Sequence, residues 1–176
     1  MQGVPLLLLL FAASLASAQS TTTRVIKSQV LNEDRKLYIQ LPESYESSSA
    51  YHRYPVLYVR DGGKFFQSFA GAVQHLTSDA TPHAPEMIVV AIAETDRVRD
   101  SAATRSLQGF TGKTDEGFAS SGGGGNFRRF LEQELVPYID GQFSTWDLMT
   151  RVVLCAEASA AAKMSSSNGR PFMRAS

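Results

Sequence analysis

The 176 residues carry 17 Lys and Arg against 17 Asp and Glu, with 43% hydrophobic and 19% charged side chains, the composition of one globular domain with enough apolar material for a core. A formal net charge of zero supplies no field to draw nucleic acid or an anionic membrane, so neither is expected as a partner. Cys155 is the single cysteine, which excludes an internal disulfide in any compartment.

The chain opens on an address pattern. Residues 6–11 are an unbroken apolar run, and Ala16-Ser17-Ala18 fits an A-x-A cleavage site before Gln19, although no Lys or Arg stands in the first five residues. The apolar stretch 4–18 contains Pro5 and falls short of the roughly twenty residues that span a bilayer. The reading is a signal peptide over 1–18, a secreted or periplasmic protein, and no membrane contact after cleavage.

Strand patterning follows. Residues 24–31 and 35–41 flank the polar turn Asn32-Glu33-Asp34, and Leu37, Ile39 and Leu41 alternate with Lys36, Tyr38 and Gln40, which predicts an antiparallel hairpin with one buried face. Residues 55–59 form a short apolar run of the kind covered on both faces, and Asp61-Gly62-Gly63 predict a tight exit into a loop. Phe65, Phe69, Val73 and Leu76 then share one face of a helix. Residues 87–93 are a second apolar strand, closed by Glu94. Strand, helix, strand implies a right-handed crossover with parallel pairing, hence an α/β fold.

Residues 94–125 show no periodicity, and so long a loop in a compact domain is functional or disordered. The run Ser120 through Gly125 lacks the Lys-Ser/Thr ending of a phosphate-binding loop, and it reads as a mobile entrance to the next helix. In that helix Phe127, Phe130, Leu131, Leu135, Tyr138 and Ile139 form the apolar face, while Arg128, Arg129, Glu132, Gln133 and Glu134 fill the other. Burying the stripe is worth on the order of 10 kcal/mol gross. Asn126 is the expected N-cap, and Pro137 is expected to kink or end the last turn. Val152, Val153 and Leu154 begin the next strand. His52, His75 and His83 read as surface or helix histidines.

Four segments, Leu37 to Pro42, YPVLYVRDGGKFF from Tyr54, PEMIVVAIAETDRVRD from Pro85 and GGGGNFRRFLEQELVPYID from Gly122, resemble the N-terminal half of the putative esterase family. Its members include S-formylglutathione hydrolases, trilactone siderophore esterases and feruloyl esterases. The resemblance covers roughly 24–154 and implies an incomplete α/β-hydrolase-like sheet, with an antiparallel hairpin followed by parallel strands and crossover helices. The domain expected on this basis is 19–157, with a flexible tail over 158–176. The implied reaction is carboxylic ester hydrolysis through a serine and an acyl-enzyme, on a small ester substrate, with no metal or organic cofactor.

The family's strand leads into Gly-His-Ser-x-Gly-Gly, whose glycines permit the strained turn that exposes the serine. Aligned without a gap, Glu157 falls on the nucleophile, Cys155 and Ser159 on glycines and Ala156 on the histidine. Ser159 as an alternative nucleophile would set alanines where the turn needs glycine. Cys155 reads as an inert strand cysteine before a thiol nucleophile. No Asp or His follows Leu154, whereas the fold's order is nucleophile, acid, base. The expectation is therefore a chain truncated before its nucleophile, inactive as written, with no catalytic residue of its own. Its alternatives are a non-catalytic ligand-binding or interaction remnant and an unstable fragment.

The resemblance places Asp61, Gly62 and Gly63 in the loop that supplies an oxyanion donor, a stretch that also reads as a plain turn. Arg97, Arg99 and Asp100 match an arginine-aspartate run beside the active site, and a salt-bridged brace is the other reading of it. The strand at Val152, if left as an edge, invites self-association.

Overall fold

In a computed structural model of the chain, which describes residues 21–78, 82–108, 112–146 and the backbone of 152–154, five strands lie in the order β1-β2-β4-β3-β5. β1 (Thr21–Ser28) and β2 (Glu33–Gln40) form the antiparallel hairpin, and β2 pairs antiparallel with β4 (Ile88–Ile92). β3 (Val56–Val59) runs parallel to β4 on one side and to β5 (Val152–Leu154) on the other. The fold is α/β, as expected. The expected signal segment, Arg151, Cys155, Glu157, Ser159 and the expected tail lie outside the described residues.

β3 and β4 are apolar throughout because both faces are covered. Val56, Tyr58, Ile88, Val90 and Ile92 pack with Leu37 and Ile39 against Phe127, Phe130, Leu135 and Ile139. On the other face Leu57, Val59, Val89 and Ala91 pack against Phe66 and Ala70. Successive residues of one strand thus enter opposite clusters, the two-residue period of extended chain.

Several boundaries differ from expectation. The hairpin turn falls at 29–32, before Glu33, with Asn32 in the left-handed region (φ 52°). Val30 and Leu31 read as strand because they are apolar, but they are turn residues that pack onto the core beside the long helix. Glu134, assigned to the polar face, caps this turn: its carboxylate accepts the Gln29 and Val30 N–H groups at 2.8 and 3.0 Å and the Ser28 hydroxyl at 2.5 Å.

No loop follows β3. The helix α1 (Gly62–Thr77) starts immediately after Asp61. Its buried side is centred on Gly62, Phe66 and Ala70, and Leu76 is 42% exposed. The small residues let the helix lie close to β4, so that of the expected stripe Phe69 and Val73 pack at the margin of this cluster and Leu76 does not.

The segment after β4 is not structureless either. It contains α2 (Arg97–Ser101), N-capped by the Asp96 carboxylate accepting the Arg99 N–H at 2.9 Å, and a single 3-10 turn (Glu116–Phe118). The glycine run expected as a mobile entrance is packed against α2: the N–H groups of Gly123 and Gly124 bond the Arg99 and Ala102 carbonyls, both at 2.9 Å. A Cβ on Gly123 would stand 2.5 Å from Arg99 Cγ.

The N-cap of the long helix is accordingly Gly123, while Asn126 accepts from Arg129 Nη2. The helix runs as α3 (Gly124–Phe130), a π-helical turn (Leu131–Leu135) and α4 (Val136–Gln142). Pro137 neither ends nor breaks it. The wider turn sits just where a proline, lacking an N–H and crowding the carbonyl four residues back, cannot keep the α ladder. Among the described residues no helix is long and apolar enough to cross a membrane.

Candidate active site

Parallel pairing from Val56 opposite Ile88 to Val59 opposite Ala91 brings the carboxyl ends of β3 and β4 together, the place where open α/β sheets bind ligands. Arg60 and Asp61 leave β3 there, and Ala93 and Glu94 leave β4. Arg97 and Asp100 of α2, Arg35 of β2 and Phe127 of α3 complete a cleft of about 10 Å³, the room of one water molecule. Arg35, Arg60 and Arg97 share it with the carboxyl groups of Asp61, Glu94 and Asp100.

Asp61 is the pivot. It occupies the left-handed region (φ 58°, ψ 33°) at the N-cap of α1, a conformation that aspartate tolerates better than most residues. Its side chain makes no cap bond. It is 5% exposed, turned to Arg97 Nε at 3.2 Å and to the carboxyl of Glu94. The Asp61 carbonyl accepts the Lys64 and Phe65 N–H groups at 3.1 and 3.2 Å. The N–H groups of Gly62 and Gly63 head the helix, where no earlier turn offers them a carbonyl and the Asp61 carboxylate does not reach round to them.

Gly62 fixes where this helix end sits. A Cβ there would lie 2.8 Å from both the carbonyl carbon and the Cβ of Ala91, so only glycine lets α1 begin against the end of β4. Gly63 is exposed, with nothing within 4 Å of an added Cβ.

Glu94 has its carboxyl held above the usual carboxylate range, first by burial, then by the hydrogen bond and negative charge of Asp61, against the pull of Lys64 and Arg97. Its Oε1 is buried with no hydrogen-bond donor among the described residues.

Arg99 belongs to a brace rather than to the cleft, and Asp100 takes part in both. The Arg99 guanidinium forks onto Glu33, at 3.0 and 2.7 Å, and its Nε reaches Asp100 at 2.9 Å. Its hydrogen bonds to Glu33 and Asp100 outweigh desolvation and raise its affinity for its proton. Glu33 is held below the usual range: burial pushes it up, but the Arg99 hydrogen bonds and the Arg35 charge more than offset this. Arg35, 1% exposed, joins the brace through Nη2, 2.5 Å from both Glu33 and Asp100. Its guanidinium lies over the Phe127 and Phe130 rings at 5.6 and 6.0 Å, a cation–π arrangement. Of the arginine-aspartate run, Arg97 and Asp100 line the cleft and Arg99 does not.

Sequence reasoning missed Glu33, Arg35, Arg60 and Glu94. Arg35 shares the inward parity of Leu37 and Ile39, and Arg60 and Glu94 are the first charged residues after the two apolar strands. Those signals were available. His52, His75 and His83 are exposed. Among the described residues no three His, Cys, Asp or Glu side chains converge as metal ligands would.

The chain matches the family described as Putative esterase over residues 28–155. It is similar to an IroE-like serine hydrolase from Shewanella oneidensis, with 33% identity and a TM-score of 0.71 over 76% of this chain and 42% of that one. The BES protein from Bacillus cereus is 25% identical with a TM-score of 0.59, over 76% of this chain and 50% of that one. Siderophore hydrolase EstB from Aspergillus nidulans shares the fold at 18% identity and a TM-score of 0.57, over 81% and 50% of the two chains. The chain thus spans 42% of the length of the Shewanella hydrolase and half that of the other two. A search of curated proteins finds no match.

Proposed function

Because this chain belongs to the putative esterase family, we propose that it carries the oxyanion side of a carboxylic ester hydrolase site, acting on a small ester in a secreted or periplasmic setting. The observation that carries the reading is the pair of glycine N–H groups at the head of α1, left uncapped by Asp61 at the carboxyl ends of parallel strands. As an ester carbonyl becomes tetrahedral, charge gathers on its oxygen, and backbone donors already aimed there stabilise the transition state more than the substrate. Arg97 acts on the loop through Asp61, and Arg99 with Asp100 holds α2 against the hairpin.

The nucleophile is the part this sequence does not supply in the family's form. Its 176 residues contain no Gly-x-Ser-x-Gly, and Glu157 stands where the serine aligns. On this reading the chain binds an ester without turning it over, and β5, an edge of the sheet among the described residues, offers a site for association. The siderophore esters and ferulates of its relatives' names are the narrower substrate classes to try first.

Purified chain titrated with a p-nitrophenyl ester is expected to bind it saturably, to release no nitrophenol and to take up no fluorophosphonate. Turnover abolished by Ser159→Ala would overturn the claim of inactivity. Absence of ester binding would overturn the oxyanion reading itself.

A further inference from the structure

We propose that Glu94, carrying a proton, is a positioning residue that fixes Asp61 and, through it, the Gly62 and Gly63 N–H groups of the candidate oxyanion loop. The inference rests on the functional reading above. Asp61 holds a left-handed turn between β3 and α1, and no capping bond of its own keeps it there. Two side chains from two other elements do: Arg97 of α2, whose Nε lies 3.2 Å from Oδ2, and Glu94 at the end of β4.

Two carboxyls lining one cleft repel when both are charged, and a proton on one of them turns that repulsion into a hydrogen bond. Glu94 Oε1 is already buried without a donor, so ionising Glu94 would add an unsatisfied charge beside a second carboxylate. Protonated, Glu94 donates its O–H to Asp61 and leaves the Asp61 charge to Arg97. The other charged groups do not alter this balance. Arg35 and Asp100 are engaged with each other at 2.5 Å, Arg60 donates to the Ser101 hydroxyl at 2.6 Å, and Lys64 contributes a partial offset from α1. Burial and the Asp61 charge both oppose loss of the Glu94 proton. When the proton leaves, repulsion removes one of the two holds on Asp61. The turn then relaxes, and the glycine N–H groups lose their common aim.

The test needs no ester. Side-chain carboxyl NMR of the full chain should show Glu94 titrating above the ordinary glutamate range, moving down towards it in Asp61→Asn. Amide hydrogen exchange at Lys64 and Phe65, whose N–H groups bond the Asp61 carbonyl of this turn, corrected for its ordinary base catalysis, should then accelerate across the Glu94 titration, by about tenfold for each pH unit by which that titration is displaced. In Glu94→Gln, which keeps a donor to Asp61 at every pH, the corrected rates should stay flat. An ordinary Glu94 titration would overturn the proposal, as would corrected exchange in the native chain no faster than in Glu94→Gln. If Glu94→Gln does not fold, the native titration and Asp61→Asn decide. Failure of ester binding with these results intact would remove the functional reading alone.

Discussion

Arg35 and Asp100 meet at 2.5 Å across 65 positions of sequence, both side chains almost wholly buried. Their contact joins the hairpin to the short helix beside the cleft. Arg35 also lies over two aromatic rings and reaches the Ala93 carbonyl at 3.4 Å, so it cannot swing out to water when its partner is removed.

Removing that partner should therefore cost more than an ordinary ion pair does. Asp100→Ala leaves Arg35 and Arg99 with Glu33 as their one shared carboxylate and should destabilise by about 3–5 kcal/mol. Asp100→Asn keeps an acceptor oxygen and should cost about 1–3 kcal/mol. Urea unfolding of the two variants checks the order. Equal, small losses would mean that Arg35 is neutralised from elsewhere.

Gly62 and Gly63 are neighbours in sequence with opposite expected responses. Gly62→Ala pushes a methyl to 2.8 Å from the Ala91 backbone, an overpacking of about 1–3 kcal/mol that should displace the start of α1 from β4. Gly63→Ala enters open space in the first turn and should be neutral or stabilising by up to about 1 kcal/mol. Thermal melts of both variants, with exchange protection at Lys64 and Phe65, separate the two outcomes. A destabilising Gly63→Ala would show that the helix head is more crowded than the geometry says.

Where apolar residues run unbroken, the sequence was legible. β3 and β4 are each sandwiched between helices and could hardly be read otherwise. The hairpin register was harder, because Val30 and Leu31 pack onto the core from a turn and so resemble strand residues. The start of α1 and the tilt of its buried face depend on a single close approach, Gly62 to Ala91, that no local pattern announces. The brace was hidden for a different reason: Arg99 and Glu33 lie 66 positions apart, and only the fold brings them together. Asp61 and the two glycines were legible as a candidate site because the Asp-Gly-Gly motif falls just after an apolar strand. Glu94, the partner that gives Asp61 its setting, was not, since a glutamate ending a strand is ordinary until its neighbour is known.

Glu134 ties the hairpin turn to the π-helical turn of the long helix. It takes two backbone N–H groups and the Ser28 hydroxyl, while Ser28 Oγ in turn accepts the Leu31 N–H at 2.9 Å. Glu134→Ala frees all of these donors at once and should cost about 1–3 kcal/mol. Exchange at Gln29 and Val30 should rise selectively. Uniform acceleration across the sheet instead would assign the residue a global role and not a local one.

The pH dependence of stability has two limbs of opposite sign. Glu33 and Glu134 are both held below their ordinary value of 4.5. Burial raises each, and it is outweighed by the arginine contacts of Glu33 and by the Ser28, Val30 and Gln29 hydrogen bonds of Glu134. A group bound more tightly in its charged form stabilises the fold above its unfolded pKa, so these contributions are present above 4.5 and fade as pH falls through the folded values. Glu94, raised from 4.5, acts in reverse: its contribution is complete below that value and fades as pH rises through the displaced titration. Melting temperatures taken between about pH 3 and 8 should pass through a maximum. Glu33→Gln and Glu134→Gln should each flatten the acid limb, and Glu94→Gln the alkaline one. An acid limb unchanged by both of the first two substitutions would place the acid sensitivity on other carboxyls, with Asp96, which the Arg99 N–H holds below its ordinary 3.8, the next to change.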